Sequence, residues 1–254
     1  MGPRLGQNFL SDPNLLDAIV RDAELGPGEV VLEVGAGEGV LTERLAAAAH
    51  VHSVEIDRRL EPALAPLAAR PNVDLHWGDA LELDFAGLDP APTAVVANLP
   101  YAVATPVILR TVAELPSVRR WTVMVQREIA DRLRAGPGSR TYGSPSATVQ
   151  LACEVKLLRT VDPAVFRPRP RVESAILGLR RTGPGADEPT RELIRAAFAH
   201  RRKSLARSVE HVRPGTLAAT RRALEELELD PGARAESLAP GDFAALSAKL
   251  SAGA

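Results

Sequence analysis

The sequence predicts an α/β fold with a mostly parallel sheet and an antiparallel edge, followed by a small all-α C-terminal domain. Short apolar strands alternate with amphipathic helices from residue 14 to residue 180, a pattern typical of a parallel sheet covered on both faces. The last two predicted strands follow each other with no helix between them, which indicates an antiparallel edge. From residue 190 onward the pattern is helical.

The predicted strands are short apolar runs separated by helices or loops. Helices are predicted between strands at GVLTERLAAAAH, RRLEPALAPLAAR and AVATPVILRTVAEL, and a Pro-rich loop, DPAVFRPRPRV, joins the last two strands. In chain order the strands are EVVLEV (29–34), HVHSVEI (50–56), VDLHWGDA (73–80), TAVVANL (93–99), RRWTVMVQ (119–126), TVQLACEVKLLRTV (148–161) and ESAILGLRR (173–181).

Two domains are predicted, comprising residues 1–182 and 190–254. Residues 183–189 are rich in Gly, Pro and acidic side chains and are predicted to be a linker. The second domain should contain three helices, of which the first, TRELIRAAFAHRRKSLARSVE, has Thr190 as its predicted N-cap. The other two are TLAATRRALEELEL and PGDFAALSAKL.

The net charge of −1 hides an uneven distribution of charge. Residues 22–57 carry eight acidic side chains and one basic side chain, whereas residues 190–222 carry nine basic and two acidic ones. Residues 167–181 add five arginines against one glutamate. The acidic part is suited to a cation or a hydroxyl-rich cofactor, and the basic parts to phosphates, although solvated helix faces are the competing interpretation.

Several classes of site and location are disfavoured by composition. No apolar stretch is long enough for a membrane span, and the N-terminus lacks the apolar core of a secretory signal. The single cysteine, Cys153, excludes an internal disulfide and favours a reducing cytoplasm. His50, His52, His200 and His211 show no metal-ligand spacing, so no metal is expected. Nothing indicates an oligomer, and a monomer is expected.

The first strand ends in a glycine turn with the spacing Gly35-x-Gly37-x-Gly39. This differs from the G-x-G-x-x-G that places a pyrophosphate on a helix N-terminus. Glu33 and Glu38 flank the turn and would repel a phosphate, whereas they would accept a cationic ligand. For Glu33, a buried structural carboxylate is an equally good interpretation.

Acidic side chains also end the next two predicted strands. Glu55, followed by Ile56, lies where an acid reaches ribose hydroxyls, and Asp79, followed by Ala80, could meet an adenine amine. Turn capping is the simpler alternative for Asp79. Together with Asn98 at the end of the fourth strand, these residues favour S-adenosylmethionine over NAD as the cofactor.

The fourth strand runs into the turn Asn98, Leu99, Pro100, Tyr101. An adenine amine is a poor nucleophile because its lone pair is delocalised into the ring. The Asn98 side-chain oxygen and the Leu99 carbonyl could accept its two protons and favour the localised amine. Pro100 would fix the backbone, and Tyr101 would offer a ring on which the base stacks. A simple turn with one core tyrosine is the alternative.

The chain resembles the ribosomal RNA adenine dimethyltransferases, most closely the branch that modifies small-subunit rRNA. The motifs carrying this resemblance, in order, are GQNFL, VGAGEGVLT, VEID, GDAL, NLPY, YGSPSATVQ, VFRPRPRVESAI and FAHRRKSL. The resemblance implies a Rossmann-like S-adenosylmethionine-dependent methyltransferase domain with an RNA-contacting helical C-terminal domain. It also implies dimethylation of two adjacent adenosines near the 3′ end of 16S rRNA in an immature ribosomal particle, late in small-subunit biogenesis.

The resemblance adds residues that composition alone does not single out. Asn8 and Leu10 fall where the family binds the cofactor, along with Gly35, Glu55, Asp79 and Asn98. Phe166 falls where the family places a second ring across the base from Tyr101.

Three alternatives to this function are left by the sequence. One is a large-subunit rRNA adenine methyltransferase that confers antibiotic resistance. Another is a DNA adenine methyltransferase, which has the same N-x-P-Y motif, but the chain shows no target-recognition domain of the usual size. The third is an assembly factor that binds immature subunits and for which methylation is secondary.

Overall fold

A computed structural model of the chain describes residues 9–10 and 12–252, and its largest element is a seven-stranded sheet. In chain order the strands are β1 (Phe9–Leu10), β2 (Val30–Val34), β3 (His50–Glu55), β4 (Val73–Trp77), β5 (Ala94–Asn98), β6 (Arg120–Gln126), β7 (Cys153–Val161), β8 (Phe166–Arg167) and β9 (Ser174–Arg181). The large sheet has the order β4-β3-β2-β5-β6-β9-β7, and β1 pairs with β8 in a separate two-stranded sheet. Strands β2 to β6 are parallel to their neighbours and β9 is antiparallel to β6, so the predicted sheet is confirmed.

Some helices pack against the sheet, and others form a separate helical group. Most begin at a residue that sequence rules identify; Asp12, for example, caps α1 by accepting the Leu15 N–H, and Pro13 occupies the first helical position. The helices are α1 (Pro13–Asp22), α2 (Val40–Leu45), α3 (Glu61–Ala68), α4 (Ala104–Glu114), α5 (Arg127–Leu133), α6 (Ser144–Gln150), α7 (Glu188–Phe198), α8 (Leu205–Val212), α9 (Leu217–Glu226) and α10 (Pro240–Ala252).

The central strands are buried on both faces. All five residues of β2 and four of the five in β5 are buried, as expected for parallel strands under helices. On one face, Leu16 and Ile19 of α1 pack into a cluster with Val31, Val96 and other buried side chains. This burial fixes the position of the carboxyl ends of the strands, where the predicted site residues lie.

The segment predicted as one strand over residues 148–161 begins later than expected. Thr148–Gln150 belong to α6, and β7 starts only at Cys153. The Gln150 amide donates hydrogen bonds of 2.8 Å to the carbonyls of Leu133, the last residue of α5, and Ala135, two residues beyond it. These long-range hydrogen bonds and the burial of Ala147 and Val149 outweigh the local β propensity.

The first predicted C-terminal helix is in fact two helices, α7 and α8. Asp187 rather than Thr190 is the N-cap, because its carboxylate accepts the Thr190 N–H at 3.0 Å. The helical run is interrupted after Phe198, where the Ser208 hydroxyl accepts the His200 N–H and donates to the Ala196 carbonyl. These bonds replace intrahelical ones, so the chain turns.

Two compact units are present, and their boundaries differ from the predicted ones. The sheet unit comprises residues up to Ala130 and Glu154–Arg181, and the helical unit comprises Asp131–Cys153 and the chain from Thr182 onward. Tyr142 explains why an inserted segment belongs to the helical unit. Its ring lies 5.8 Å from that of Phe198, which in turn lies 5.7 Å from that of Phe243. The predicted linker also overlaps α7, which starts at Glu188.

Helix α4, which follows the Asn98–Tyr101 turn, is attached firmly to the sheet. The Trp121 indole N–H on β6 donates to the Thr111 hydroxyl at 3.0 Å, and both side chains are fully buried. The Arg181 guanidinium stacks over the Trp121 ring and donates to the carbonyls of Val112 and Leu115 near the end of α4. The turn that precedes α4 is therefore held by a rigid neighbour.

Across residues 9–10 and 12–252, no helix combines the length and the apolar character that crossing a membrane requires.

Replacing Gly39 with alanine should destabilise the sheet unit by about 2–4 kcal/mol. Gly39 caps α2 at φ +81°, and a Cβ there would lie 2.4 Å from Leu67 Cδ1. Gly28→Ala is the matched control, since Gly28 has φ +78° but no atom within 4 Å of the added Cβ. It should cost only the backbone strain, about 1 kcal/mol. Urea unfolding followed by tryptophan fluorescence measures the free energy of unfolding of both variants. Equal losses of this free energy in the two variants would contradict the packing argument.

Candidate active site

A cavity of about 220 Å³ lies at the carboxyl ends of β2 to β5. Its walls come from the loops that follow these strands, which is where open parallel sheets bind their ligands. Nearly all predicted site residues that the structure describes line it: Leu10, Gly35, Gly37, Glu55, Ile56, Asp79, Ala80, Asn98, Leu99, Pro100 and Tyr101. Asn8 lies outside the described residues. The structure thus brings the sequence motifs together at one place.

The glycine turn after β2 brings two loops into close approach. Gly35 has φ +86°, and a Cβ on it would lie 3.2 Å from Pro100 Cδ. Only glycine tolerates both the positive φ and this proximity. The Asn98–Tyr101 turn therefore packs directly against the glycine turn, and the two form adjoining walls of the cavity.

Glu55 is the main hydrogen-bond acceptor of the cavity rim. Its side chain is 4% exposed. Oε2 accepts the Gly37 N–H at 2.8 Å, and Oε1 accepts the N–H groups of Ile56 and Asp57 at 3.0 and 2.8 Å. A carboxylate has about four acceptor sites, so Oε2 retains capacity for a ligand hydroxyl. This is compatible with the predicted contact to ribose.

Ile56 and Asp79 frame the next part of the rim. The Ile56 side chain is 52% exposed and lines the cavity, which gives an apolar surface for a flat ring. Asp79 Oδ1 accepts the Leu81 N–H at 2.8 Å, so the residue does cap its turn. Because its side chain also lines the cavity, the capping and cofactor interpretations of Asp79 are compatible.

Arg110 on α4 is a positioning residue that sequence reasoning missed. Its guanidinium donates to the carbonyls of Ala80 and Leu83 at 2.8 and 3.0 Å and lies over the Phe85 ring. The loop carrying Asp79 is thereby fixed to the helix that follows the Asn98–Tyr101 turn. An arginine in the middle of an amphipathic helix gives no sequence signal for this role.

Glu33 is a buried acid with an unusual pKa. Both the Thr42 and Ser53 hydroxyls donate to its Oε2, at 2.6 and 2.8 Å. Burial raises the pKa of the Glu33 carboxyl from 4.5 to about 7, and the two hydrogen bonds oppose this rise. Glu33 also lines the cavity, so it is a structural carboxylate and a part of the site at once.

The charge of the cavity decides which cofactor fits. Four acidic side chains line it, namely Glu33, Glu38, Glu55 and Asp79, and the described lining residues include no Lys, Arg or His. A dinucleotide pyrophosphate would find no positive partner here and would face carboxylates. A sulfonium cofactor with ribose hydroxyls and an adenine fits the same donor and acceptor set. The residues present therefore fit S-adenosylmethionine.

The Asn98–Tyr101 turn forms the wall of the cavity that adjoins the glycine turn. The Leu99 side chain is buried and its N–H donates to the Met124 carbonyl at 3.1 Å, which extends the sheet by one residue. Among the described residues, none donates a hydrogen bond to the Leu99 carbonyl. The Tyr101 hydroxyl lies 2.6 Å from that of buried Ser174, and burial raises the pKa of the Tyr101 phenol above its usual value.

Two ring residues differ from expectation. Phe166 does not line the cavity, because it is 2% exposed and packs in the sheet core, where β8 pairs with β1 at Leu10. Phe9, which was not predicted, does line the cavity, with its ring 3.3 Å from the position of a Cβ on Gly37. The proximity of GQNFL to the glycine turn was implied by the resemblance, but neither ring's orientation could be read from the sequence.

Away from the cavity, the structure brings two of the histidines, for which no metal was expected, next to an aspartate. His50 and His52 on β3 and Asp74 on β4 place one ligand atom each within 4.8 Å of one another. The signal in the sequence was the two-residue spacing within a strand, which puts both imidazoles on one face.

The carboxylates around this glycine turn would repel the pyrophosphate of a dinucleotide and suit a cationic cofactor. The protein is an S-adenosylmethionine-dependent methyltransferase with a Rossmann-like sheet. Comparison with known proteins narrows the class: residues 2–251 match the family model described as ribosomal RNA adenine dimethylase, and the chain belongs to that family.

Individual relatives agree with this assignment. The chain is 44% identical over 253 residues to a ribosomal RNA small subunit methyltransferase A from Rubrobacter xylanophilus. The aligned residues make up 98% of this chain and 94% of that protein. A dimethyladenosine transferase from Plasmodium falciparum has a similar structure, with a TM-score of 0.79 at 26% identity over 94% of this chain and 95% of that one. The 23S rRNA methyltransferase ErmE is also similar, with a TM-score of 0.68 at 28% identity over 96% and 100%.

Replacing Glu33 with glutamine should stabilise the protein more at pH 8 than at pH 5. The folded chain binds the Glu33 proton more tightly than the unfolded chain, because its pKa is about 7 rather than 4.5. The free energy of unfolding therefore falls as pH rises between these values and stays at its lower level above about pH 7. Glutamine does not ionise, so the variant should gain about 2–3 kcal/mol relative to the parent over this interval.

Urea unfolding of parent and variant at both pH values measures the difference. Glu82→Gln, which removes an exposed carboxylate, is the control for the loss of one surface charge. An effect of Glu33→Gln that is equal at pH 5 and pH 8 would contradict the assignment of a raised pKa.

Proposed function

We propose that the protein dimethylates the exocyclic amines of two adjacent adenosines near the 3′ end of 16S rRNA. It would act as a monomer on an immature small-subunit particle in the cytoplasm. The observation that carries the proposal is the cavity itself, in which an acidic, cation-accepting rim adjoins the Asn98–Tyr101 turn. The family and the 44% identity to a small-subunit methyltransferase support the choice of substrate.

S-adenosylmethionine, when bound, supplies an electrophilic methyl group. Glu55 and Asp79 would bind the ribose hydroxyls and the adenine amine of the cofactor, and the exposed face of Ile56 would contact its ring. Glu33 and Glu38 contribute negative charge beside the glycine turn, which favours a cationic sulfonium. No covalent enzyme intermediate is needed, and catalysis rests on holding the two reactants in line.

Two acceptors of the Asn98–Tyr101 turn would activate the target amine. The Asn98 side-chain oxygen and the Leu99 carbonyl can each accept one N–H of the adenine amino group. Accepting both protons disfavours conjugation of the lone pair with the ring, so the lone pair becomes available for attack. The turn is well suited to hold these groups, because Leu99 is anchored to β6 and α4 is fixed to the sheet.

Tyr101 would position the target base rather than move its proton. The adenosine must leave its stack to reach the cavity, at a cost of a few kcal/mol that stacking on an aromatic ring partly returns. The hydroxyl contact with Ser174 fixes the ring, and the raised pKa keeps the phenol protonated at neutral pH. The methylated amine is acidic enough to lose its proton without a protein base.

Asn98→Ala should abolish methyl transfer while leaving the affinity for S-adenosylmethionine within about tenfold of the parent. One aimed acceptor of this kind is worth roughly 100- to 1000-fold in rate. The assay is transfer of labelled methyl to immature small subunits, followed by nucleoside analysis for dimethyladenosine. Large-subunit RNA in parallel tests the alternative that the similarity to ErmE raises. Methylation only of large-subunit RNA would overturn the substrate assignment, and full activity of Asn98→Ala would overturn the mechanism.

Two substitutions of Tyr101 distinguish the contribution of its ring to stacking from that of its hydroxyl to hydrogen bonding. Tyr101→Phe keeps the ring and loses only the contact with Ser174, so it should retain activity within about tenfold. Tyr101→Ala removes the stacking surface, worth about 1–3 kcal/mol per base, and should lower kcat/KM by about 10- to 100-fold. Steady-state kinetics on the same particle checks both, and equal losses in the two variants would contradict a stacking role.

The same variants distinguish an enzyme from an assembly factor. If binding to the immature particle is the main role, Asn98→Ala should still support normal small-subunit assembly in cells. If methylation is the main role, the variant should behave like a deletion.

RNA binding should depend on only some of the basic residues. Arg191 and Arg195 pair with Glu188, and Arg213 pairs with Glu192, so much of the basic run over 190–222 is neutralised locally. Within the basic segments 167–181 and 190–222, exposed arginines for which the described residues provide no ion pair are the better phosphate ligands. In these two segments they are Arg167 and Arg171 in the sheet unit and Arg202, Arg207 and Arg221 in the helical unit.

Single Arg→Gln substitutions at these five positions should weaken RNA affinity and reduce the slope of log K against log salt by about one each. Arg195→Gln is the matched control, because its charge is already paired with Glu188. Filter binding to the particle between low and physiological salt measures both quantities. An Arg195→Gln effect as large as that of Arg207→Gln would show that ion pairing does not decide which arginines bind RNA.

A further inference from the structure

A cluster of three imidazoles and one carboxylate lies on the outer strands of the sheet unit. Parallel pairing of β3 and β4 sets His52 opposite Asp74 and Val54 opposite His76. Side chains two residues apart on a strand share a face, so His50, His52, Asp74 and His76 all lie on the same face of the sheet. None of them lines the cofactor cavity.

The ligand atoms are spaced as in a transition-metal site. Asp74 Oδ2 lies 2.7 Å from His50 Nε2 and 3.4 Å from His52 Nδ1. His76 Nε2 lies 3.1 Å from His52 Nδ1. Nitrogen and oxygen ligands about 2.0–2.1 Å from a tetrahedral zinc ion are themselves about 3.3–3.4 Å apart. Small movements of the partly exposed side chains would therefore complete the coordination.

His52 is oriented as a metal ligand. Its side chain is fully buried, and its Nε2 lies 2.8 Å from the Pro90 carbonyl oxygen. A carbonyl only accepts hydrogen bonds, so Nε2 carries the ring proton and the lone pair of Nδ1 faces the cluster. A ligating histidine usually donates its second N–H to a carbonyl or carboxylate, which fixes its tautomer. The buried His52 imidazole is therefore held with the Nδ1 lone pair available to a metal ion.

The cluster is open to solvent on one side. The Asp74 side chain is 46% exposed, so an ion can reach the cluster from solvent.

We propose that His50, His52 and Asp74, with His76 as a further donor, bind a divalent transition-metal ion of the zinc class. Imidazole nitrogens with a single carboxylate suit Zn²⁺, whereas Ca²⁺ and Mg²⁺ require sets of oxygen ligands. The ion would connect β3 to the edge strand β4 and take no part in methyl transfer. Because β4 leads from His76 to Asp79 within three residues, the ion would also stabilise the strand that supports one side of the cofactor cavity.

Calorimetric titration of the full chain, first treated with a chelator, should detect one equivalent of ZnCl₂ bound at micromolar affinity or better. MgCl₂ and CaCl₂ should give no binding. At a hundredfold excess over its dissociation constant, zinc should raise the thermal midpoint by about 5 °C or more. The double variant His50→Gln/Asp74→Asn should lose at least about 100-fold in zinc affinity. Both side chains are partly exposed, and circular dichroism together with S-adenosylmethionine binding checks that the variant is folded.

The matched control removes the chain's other histidines. The sequence contains five, so His200→Gln/His211→Gln leaves only His50, His52 and His76. This variant should bind zinc as the parent does, and X-ray absorption of its complex should show imidazole ligands. That result would assign the ion to the cluster even if the His50/Asp74 variant failed to fold. No uptake of zinc by the parent, or loss of uptake in the His200/His211 variant, would overturn the proposal.

Discussion

The carboxylate of Glu55 connects the loops on which the cofactor rim depends. Three backbone N–H groups, those of Gly37, Ile56 and Asp57, donate hydrogen bonds to it at a buried strand end. One side chain thus fixes the glycine turn after β2 to the loop after β3. The approach of Pro100 to Gly35 then joins the Asn98–Tyr101 turn to the same assembly. The glycine turn, the loop after β3 and the Asn98–Tyr101 turn are therefore held together within the sheet unit.

Charge rather than shape selects the cofactor class. The sheet order and the position of the cavity would suit a dinucleotide enzyme equally well, since both place a glycine turn at the carboxyl end of a central strand. Four acidic residues around the turn exclude a pyrophosphate and favour a sulfonium. Glu33 shows the cost of this arrangement, because two hydroxyl donors do not prevent burial from raising its pKa to about 7. Burial opposes a negative charge on Glu33, and a bound cation would offset this penalty.

The net charge is close to zero, and many basic residues on the surface are already paired with acidic side chains. In the helical unit, Glu188 and Glu192 take up three arginines of the basic run. The arginines left without such partners are spread over both units, so a count of basic residues overestimates the phosphate-binding capacity of either segment. The same compensation explains how a nucleic-acid-binding chain can have a net charge of −1.

The sequence by itself determined the sheet, the cofactor class and the position of the Asn98–Tyr101 turn at a strand end, because strand alternation, glycine spacing and strand-end residues are local patterns. Parallel strands bring their carboxyl ends to one rim, so Glu55, Asp79 and Asn98 had to converge. Only the tertiary structure decided which segments make up each unit, where Phe166 points and that two histidines meet Asp74. Residues 131–153 join the helical unit through the burial of Tyr142, and the histidines meet Asp74 through the register of β3 on β4. These contacts join residues distant in sequence, and no local pattern encodes them.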